Sequence, residues 1–213
     1  MENGMEILKL CIAVIAAYLL GSVSVAVILT RKQFRQDVRE CGSGNAGATN
    51  VARVFGMKAG VLTFLGDLLK TALAVTLGGL LLGETGKCAA AAACLLGHCY
   101  PVFFGFKGGK GVTVGAAVAL MIDVRLFLFL VAVFFLAFLI RKTVSVSSVC
   151  CALSYPVGML LFGHRSLAPV LLSVFVMCIV VFLHRSNIKR IISGTEPRFK
   201  AKKEKAQEDQ IRK

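Results

Sequence analysis

The chain alternates between long apolar stretches and short polar connections. Most of the apolar stretches approach the roughly 20 residues that a helix needs to cross about 30 Å of hydrocarbon. They are Ile7–Thr30, Met57–Leu82, Cys88–Phe104, Leu126–Ile140, Val144–Phe162 and Leu167–Leu183. Val112–Ile122 is shorter, and is either a short span or part of a re-entrant hairpin. The pattern predicts an all-α, polytopic integral membrane protein with about seven transmembrane helices.

Composition agrees with this class, because 57% of the residues are hydrophobic and the mean hydropathy is +0.79. The formal charge of +14 falls almost entirely in alternate connections between the spans. The intervening connections hold only Lys87, Arg125 and Arg165. The positive-inside rule then predicts an N-terminus outside and a cytoplasmic C-terminus. The charge is explained by topology, so nucleic acid is not predicted as a partner.

We expect residues 1–197 to form one transmembrane domain and residues 198–213 to form a basic cytoplasmic tail. The eight cysteines show no C-x-x-C or histidine-linked spacing, so the sequence predicts no metal site and no cofactor. Six lie in apolar runs and are predicted to be small core residues. They are Cys11, Cys88, Cys94, Cys150, Cys151 and Cys178. Cys41 and Cys99 are expected to be incidental free thiols.

Polar residues gather in three stretches on the predicted cytoplasmic side. The first runs from Gly42 to Asn50 and is followed by Arg53. The second runs from Gly97 into the loop Gly105-Phe106-Lys107-Gly108-Gly109-Lys110-Gly111. The third begins at His184 and extends to Glu196, and a smaller group of serines begins at Ser145.

Spans two, four and six are each preceded or opened by one of these groups, so their helix N-termini face the same side. Free N–H groups and the positive end of the helix dipole attract anions there. Taken singly, each glycine-rich loop is also explained as a tight turn and each lysine as a topology determinant. Together they predict a phosphate site. It is not a Walker A loop, because Gly111 follows Lys110 where that motif needs Ser or Thr.

Asp67 and Lys70 stand three residues apart inside the second predicted span. This spacing places both on one helix face, so we expect an intramembrane ion pair. A role in packing is the favoured interpretation.

The three stretches in register resemble the bacterial acyl-phosphate:glycerol-3-phosphate acyltransferases (the PlsY family). The resemblance rests on Gly42-Ser43-Gly44-Asn45-x-Gly47-Ala48-Thr49-Asn50, on Gly97-His98-x-x-Pro101-x-Phe103-x-x-Phe106-Lys107-Gly108-Gly109-Lys110-Gly111-Val112, and on His184-x-x-Asn187-Ile188-x-Arg190 with Gly194 and Glu196. It covers nearly the whole chain. It implies transfer of an acyl group from acyl phosphate to the 1-hydroxyl of sn-glycerol 3-phosphate, giving lysophosphatidate and inorganic phosphate. It also implies the bacterial cytoplasmic membrane as location, contact with membrane lipids, and the enzyme that makes acyl phosphate as a further partner.

Residue roles follow from the same resemblance. The implied catalytic residues are Ser43, Asn45, Arg53, His184 and Asn187. The implied substrate-binding residues are Gly42, Gly44, His98, Lys107, Gly108, Gly109, Lys110, Gly111 and Ser145. Within this set Lys107 is expected to hold glycerol 3-phosphate with assistance from Lys110. Outside it, Glu196 is expected to fix the third motif.

Two questions stay open from the sequence. The general base is either His184 or a phosphate oxygen of a bound substrate, and the substrate-assisted route is favoured. The main alternative function is an organophosphate transporter, which also needs a basic site within a helical bundle. The His-x-x-x-x-Asp signature of other acyltransferases is absent, since Phe103, Pro169 and Lys189 follow the three histidines at that distance.

Overall fold

The computed structural model describes residues 2–199, and the predicted tail lies outside these residues except at its first two positions. Within this range the chain is all-α, without strands. The helices are α1 (Glu2–Ser22), α2 (Val25–Phe34), α3 (Ala48–Phe55), α4 (Met57–Cys99), α5 (Val112–Ile122), α6 (Val124–Arg141), α7 (Val144–Leu161), α8 (Leu167–Leu183) and α9 (Arg185–Ile192). Single 3₁₀ turns cover Val38–Glu40 and Val102–Phe104.

Helix α4 is a hairpin rather than one rod, because its backbone leaves the helical region at Leu82 and at Gly83, where φ is +57°. Its arms, 57–81 and 84–99, run antiparallel. A Cβ on Gly78 would lie 2.3 Å from the carbonyl oxygen of Gly86, so the two backbones are in direct contact there. A side chain at Gly78 would force the arms apart.

The main core is formed where α1, both arms of α4, α5, α6, α7 and α8 pack together. Its fully buried side chains include Leu95, Leu126, Met159 and Val176. A second, smaller cluster lies under α2 and α3 and includes Val38 and Phe55. This second cluster includes Ala46 of the first polar loop and so anchors that loop to α2 and α3.

Large apolar side chains remain exposed around the bundle, for example Leu69 at 62%, Leu80 at 80% and Leu139 at 63%. Such a surface is suited to lipid rather than water. Four helical segments in residues 2–199 are long and apolar enough to cross a membrane, or five if α8 and α9, bent by 61°, form one span. The prediction of a multi-pass all-α membrane protein is confirmed. The count of seven spans and the orientation of the termini stay predictions.

The turns divide between the two ends of the bundle. At one end the Asp123 carboxylate pairs with Arg125 at 2.7 Å and His164 at 2.9 Å, and Ser166 donates a hydrogen bond to Glu84. The opposite end holds all the polar stretches identified in the sequence.

Among the cysteines, Cys88, Cys94 and Cys99 are buried, whereas Cys11 and Cys178 are exposed. The prediction of core positions is wrong for Cys11 and Cys178, because an apolar run in a membrane helix has an outer face as well as an inner one.

Candidate active site

The polar stretches surround one cavity of about 380 Å³. Its polar side is lined by residues from every stretch: Ser43, Asn45, Arg53, His98, Lys110, Gly111, Ser145, His184, Asn187, Arg190 and Glu196. Its other side extends between α5, α6, α7 and α8 and is apolar, with Phe127, Leu130, Phe134, Phe135 and Val176 among its walls. One cavity therefore joins a polar basin to an apolar arm.

Asn50 holds the first polar loop in shape. Its buried side-chain amide nitrogen lies within hydrogen-bond distance of the carbonyl oxygens of Val38, Cys41 and Asn45, at 3.0–3.1 Å. Its Oδ1 accepts a hydrogen bond of 2.9 Å from the backbone N–H of Ser43. Asn50 thus fixes the backbone that presents Ser43 and Asn45 to the cavity.

The glycine–lysine loop (Gly105–Gly111) folds back onto the end of α4. The N–H of Gly108 donates to the carbonyl of Cys99 and the N–H of Gly109 to that of His98, at 3.2 and 3.1 Å. A Cβ on Gly109 would lie 2.1 Å from Nε2 of His98, so this approach requires glycine. The loop and the imidazole are in direct contact.

Arg39 ties the first loop to the glycine–lysine loop. Its guanidinium donates a 2.6 Å hydrogen bond to the carbonyl of Phe104 and reaches that of Lys107 at 3.5 Å. The same guanidinium binds the Asp37 carboxylate, which also pairs with Arg31 at 2.8 Å. Hydrogen bonds from Arg39 and Arg31 hold the pKa of Asp37 at about 2 in spite of partial burial, so the carboxylate stays ionised.

Glu196 joins the third stretch to α7. Its Oε1 accepts hydrogen bonds of 2.7 Å from Ser145 and Asn187, and its Oε2 accepts one of 2.7 Å from Arg190. Burial opposes ionisation, yet these hydrogen bonds keep the pKa of Glu196 below its usual value. Lys110 in turn donates to Oδ1 of Asn187. The amide of Asn187 is therefore fixed between a cation and a carboxylate.

Lys110 is the lysine of the loop that reaches the cavity. Burial, followed by the charge of Arg190, lowers the pKa of its ammonium. Lys107 is exposed and does not line the cavity. The structure thus brings Lys110, and not Lys107, to the cavity, and the backbone just before Lys107 is left-handed at Gly105 and Phe106. The role of Lys107 in holding glycerol 3-phosphate stays a prediction. Gly42, Gly44, Gly108 and Gly109 shape the loops without lining the cavity themselves.

His184 stands at the break between α8 and α9 and is buried. Its Nδ1 lies 2.8 Å from the carbonyl oxygen of Val180, which requires a proton on Nδ1. In the neutral ring Nε2 is then a hydrogen-bond acceptor. Burial, reinforced by the nearby charge of Lys110, lowers the pKa of His184 to about 4. The ring is neutral at physiological pH.

Comparison with known proteins identifies the family. The family model described as glycerol-3-phosphate acyltransferase matches residues 11–194. The chain belongs to the glycerol-3-phosphate acyltransferase family. It is 43% identical over 192 residues to the glycerol-3-phosphate acyltransferase of Syntrophotalea carbinolica, covering 89% of this chain and 97% of that protein. It is 40% identical over 194 residues to the Bacillus subtilis protein of the same name, covering 90% and 98%.

Two solved structures share the fold. The crystal structure of PlsY, an integral membrane glycerol 3-phosphate acyltransferase, in its glycerol 3-phosphate form superposes with a TM-score of 0.83 at 36% identity, covering 90% of this chain and 96% of that one. The lysophosphatidic acid form gives 0.82 at 32% identity, covering 96% and 99%. The family resemblance drawn from the three motifs is confirmed.

Several residues in or beside the cavity have no role predicted from the sequence. Asn50 lies within the first motif but received no role, since nothing local shows that it bonds three carbonyls. Arg39 belongs to the basic residues of the first predicted cytoplasmic connection, and the sequence gives no role to Asp37. Arg190 lies in the third motif, which by itself predicts no role for it. In residues 2–199 no group of three His, Cys, Asp or Glu residues is arranged to hold a metal ion.

Proposed function

We propose that the protein transfers a fatty acyl group from acyl phosphate to the 1-hydroxyl of sn-glycerol 3-phosphate. The products are lysophosphatidate and inorganic phosphate. The bond that forms is the ester between the acyl carbonyl carbon and the glycerol oxygen, and the bond that breaks joins that carbon to the phosphate oxygen. The hydroxyl proton leaves with the phosphate. Membership of the family supports this reaction, as do the glycerol 3-phosphate and lysophosphatidic acid forms named for the PlsY structures.

The observation that carries the proposal is the single cavity that joins a cationic basin to an apolar arm. Arg53, Lys110 and Arg190 line the basin, with Glu196 as the carboxylate among them. Phe127, Phe134 and similar side chains line the arm. Both substrates carry phosphate and only the donor carries a fatty chain, so the basin suits the two phosphates and the arm suits the chain.

The polar side chains take different roles in the reaction according to their charge. Arg53 and Lys110 bind phosphate, and the Ser145 hydroxyl, whose proton goes to Glu196, offers its oxygen as an acceptor to the bound glycerol 3-phosphate. Ser43 and Asn45, held by the Asn50 loop, polarise the acyl carbonyl and stabilise the oxyanion that develops when the hydroxyl attacks. Asn187 orients the acceptor. Most of the rate enhancement comes from positioning and charge neutralisation, without a covalent enzyme intermediate.

The state of His184 favours a substrate phosphate as the general base. A histidine with a pKa of about 4 is neutral, so Nε2 accepts a hydrogen bond from the glycerol hydroxyl and orients it. The same low pKa makes it a weak base, whereas a phosphate monoester has a second pKa of about 6 and retains more affinity for the proton. His184 therefore positions the hydroxyl and the phosphate takes its proton.

The alternative of an organophosphate transporter is not favoured. The chain belongs to an acyltransferase family, and the polar side chains gather at one end of the bundle rather than at its middle. We place the enzyme in the bacterial cytoplasmic membrane, where the enzyme that makes acyl phosphate would supply its donor.

The test is an assay of the purified protein with palmitoyl phosphate and radiolabelled glycerol 3-phosphate, without added metal. Parallel reactions replace the donor with palmitoyl coenzyme A or with palmitoyl acyl carrier protein. We expect equal amounts of labelled lysophosphatidate and inorganic phosphate with palmitoyl phosphate alone. Product from a thioester and none from palmitoyl phosphate would overturn the proposed donor. Proteoliposomes that exchange labelled glycerol 3-phosphate without forming acyl product would support the transporter.

A further inference from the structure

A cluster of three ionisable side chains lies buried between the two arms of α4. The carboxylate of Asp67 bonds the ammonium of Lys70 through Oδ1 at 2.8 Å, which confirms the predicted ion pair. Nδ1 of His98 lies 3.2 Å from Nζ of Lys70 and 3.5 Å from the same Oδ1. Asp67, Lys70 and His98 are only 1%, 5% and 6% exposed. The pair predicted to serve packing is therefore in contact with a residue that lines the cavity.

The ammonium of Lys70 is a hydrogen-bond donor, so it disfavours a second N–H donor beside it. Its ammonium donates to the carbonyls of Gly21 and Val23, at 3.0 and 2.9 Å, where α1 gives way to α2. Together with Asp67 and Nδ1 of His98 they give the ammonium four partners for its three protons, so these contacts are shared. A proton on Nδ1 of His98 would point at a positive ammonium 3.2 Å away. A bare Nδ1, with its lone pair toward the ammonium, is the favourable arrangement.

The opposite nitrogen of the ring points away from Lys70, toward the glycine–lysine loop at the edge of the cavity. His98 lines this cavity, and its Nε2 lies against Gly109 of the glycine–lysine loop. Nε2 makes no hydrogen bond to any residue in the range 2–199. If Nδ1 is bare in the neutral ring, then Nε2 carries the proton and offers a donor to whatever occupies the cavity.

A purely structural ion pair explains the cluster poorly. Oδ2 of Asp67 has no hydrogen-bond partner among the described residues, and it is the one buried side-chain oxygen or nitrogen there left in that state. A buried pair that serves stability alone gains only when its remaining lone pairs are also satisfied. An unsatisfied buried polar atom needs an explanation, and a role beside a functional site is one such explanation.

We propose that Lys70, anchored by Asp67 and by the carbonyls at the α1–α2 break, holds His98 in the tautomer with the proton on Nε2, so that His98 donates to the phosphate of the acceptor. This rests on the proposed function for the identity of the ligand. Asp67 and Lys70 are positioning residues that act through His98. His98 is a donor in this arrangement, whereas His184, with its proton on Nδ1, is an acceptor.

The tautomer is tested without any reference to activity. The chain has three histidines, so ¹⁵N-histidine labelling of the full-length protein in lipid bilayers gives three imidazole spectra. The spectrum of the H98Q variant identifies the signals that belong to His98. At a pH of about 8 we expect a protonated Nε2 and a bare Nδ1. A protonated Nδ1 in the wild type, in either the neutral or the doubly protonated ring, would overturn the proposal.

A double-mutant cycle tests the consequence for binding. K70M removes the ammonium and keeps an unbranched side chain of similar length. In the wild-type background it is expected to raise KM for glycerol 3-phosphate about tenfold and to change kcat less than about threefold. H98Q replaces the ring by an amide that has no tautomers, and it is expected to raise KM by itself. K70M added to H98Q should then raise KM less than about twofold further.

Equal effects of K70M in the two backgrounds would show that Lys70 acts on the fold alone and would overturn the proposal. If K70M does not fold, the wild-type spectrum still decides. A wild type that shows the expected tautomer but makes no product from acyl phosphate and glycerol 3-phosphate would overturn the proposed function and leave the tautomer assignment in place.

Discussion

The two lysines of the glycine–lysine loop offer a matched comparison. Lys107 and Lys110 stand three residues apart in the same loop and carry the same charge. Lys110 lines the cavity and donates to Asn187, whereas Lys107 is exposed and lies outside the cavity lining. We therefore expect K110M to impair the enzyme severely and K107M to leave it nearly unchanged.

The magnitude follows from the environment of Lys110. Its side chain is partly buried, so a phosphate beside it is less screened than one in bulk water. Loss of one charge-assisted hydrogen bond to a bound anion costs up to about 3 kcal/mol, which corresponds to about 100-fold in kcat/KM. An exposed lysine acts only through a field that salt screens, so K107M should change kcat/KM less than about threefold.

The assay measures kcat/KM for glycerol 3-phosphate at saturating palmitoyl phosphate, by phosphate release, for wild type, K107M and K110M. Both variants must first elute as monodisperse protein with unchanged helix content by circular dichroism. Repeating the assay at higher ionic strength should shift K107M and wild type together. A K107M defect equal to or larger than that of K110M would refute the reasoning, because it would place the phosphate on the outer side of the loop.

Two further predictions concern the surrounding side chains. Arg39 and Arg31 bind the same carboxylate, but only Arg39 reaches the carbonyl of Phe104. R39Q is therefore expected to raise KM for glycerol 3-phosphate about tenfold and R31Q less than about twofold, and equal KM values for the two variants would contradict the bridging role. Burial lowers the pKa of His184 to about 4, so the ring is neutral at higher pH and its protonation costs activity only as pH falls toward that value. From about pH 5.5 to about pH 8, wild type and H184Q should show the same inflections in kcat/KM at different absolute rates, and an inflection near pH 6.5 that H184Q removes would contradict this pKa.

The long apolar stretches were sufficient to predict the fold class, because hydrophobic length is what a bilayer requires of a helix. Helices α5, α7 and α8 begin within a residue or two of the apolar runs in the sequence. The break at Gly83 also falls between two predicted spans. The outer and inner faces of each helix were not predictable, and Cys11 and Cys178 show why. In a continuous apolar run no polar residue marks the side that faces lipid.

The site was predictable as a set of motifs but not as an arrangement. Glycine-rich loops with lysine, serine, asparagine and histidine indicate a phosphate site from composition alone, and the family resemblance named its substrates. Which of these side chains reach the cavity depends on the path of the backbone between the motifs. Local sequence does not distinguish Lys110 from Lys107, yet the path of the loop, which is left-handed at Gly105 and Phe106, brings Lys110 and not Lys107 to the cavity.

The sequence by itself determined that this is a multi-pass helical membrane protein of the glycerol-3-phosphate acyltransferase family, since hydrophobic length and short motifs are local properties. The tertiary structure decided which side chains act together. Contacts such as Asn50 with Val38, Arg39 with Phe104 and Lys70 with His98 join residues 12, 65 and 28 positions apart. Only the packing of the helices brings such groups within hydrogen-bond distance, and it is this packing that makes an ion pair in the second span a neighbour of the substrate cavity.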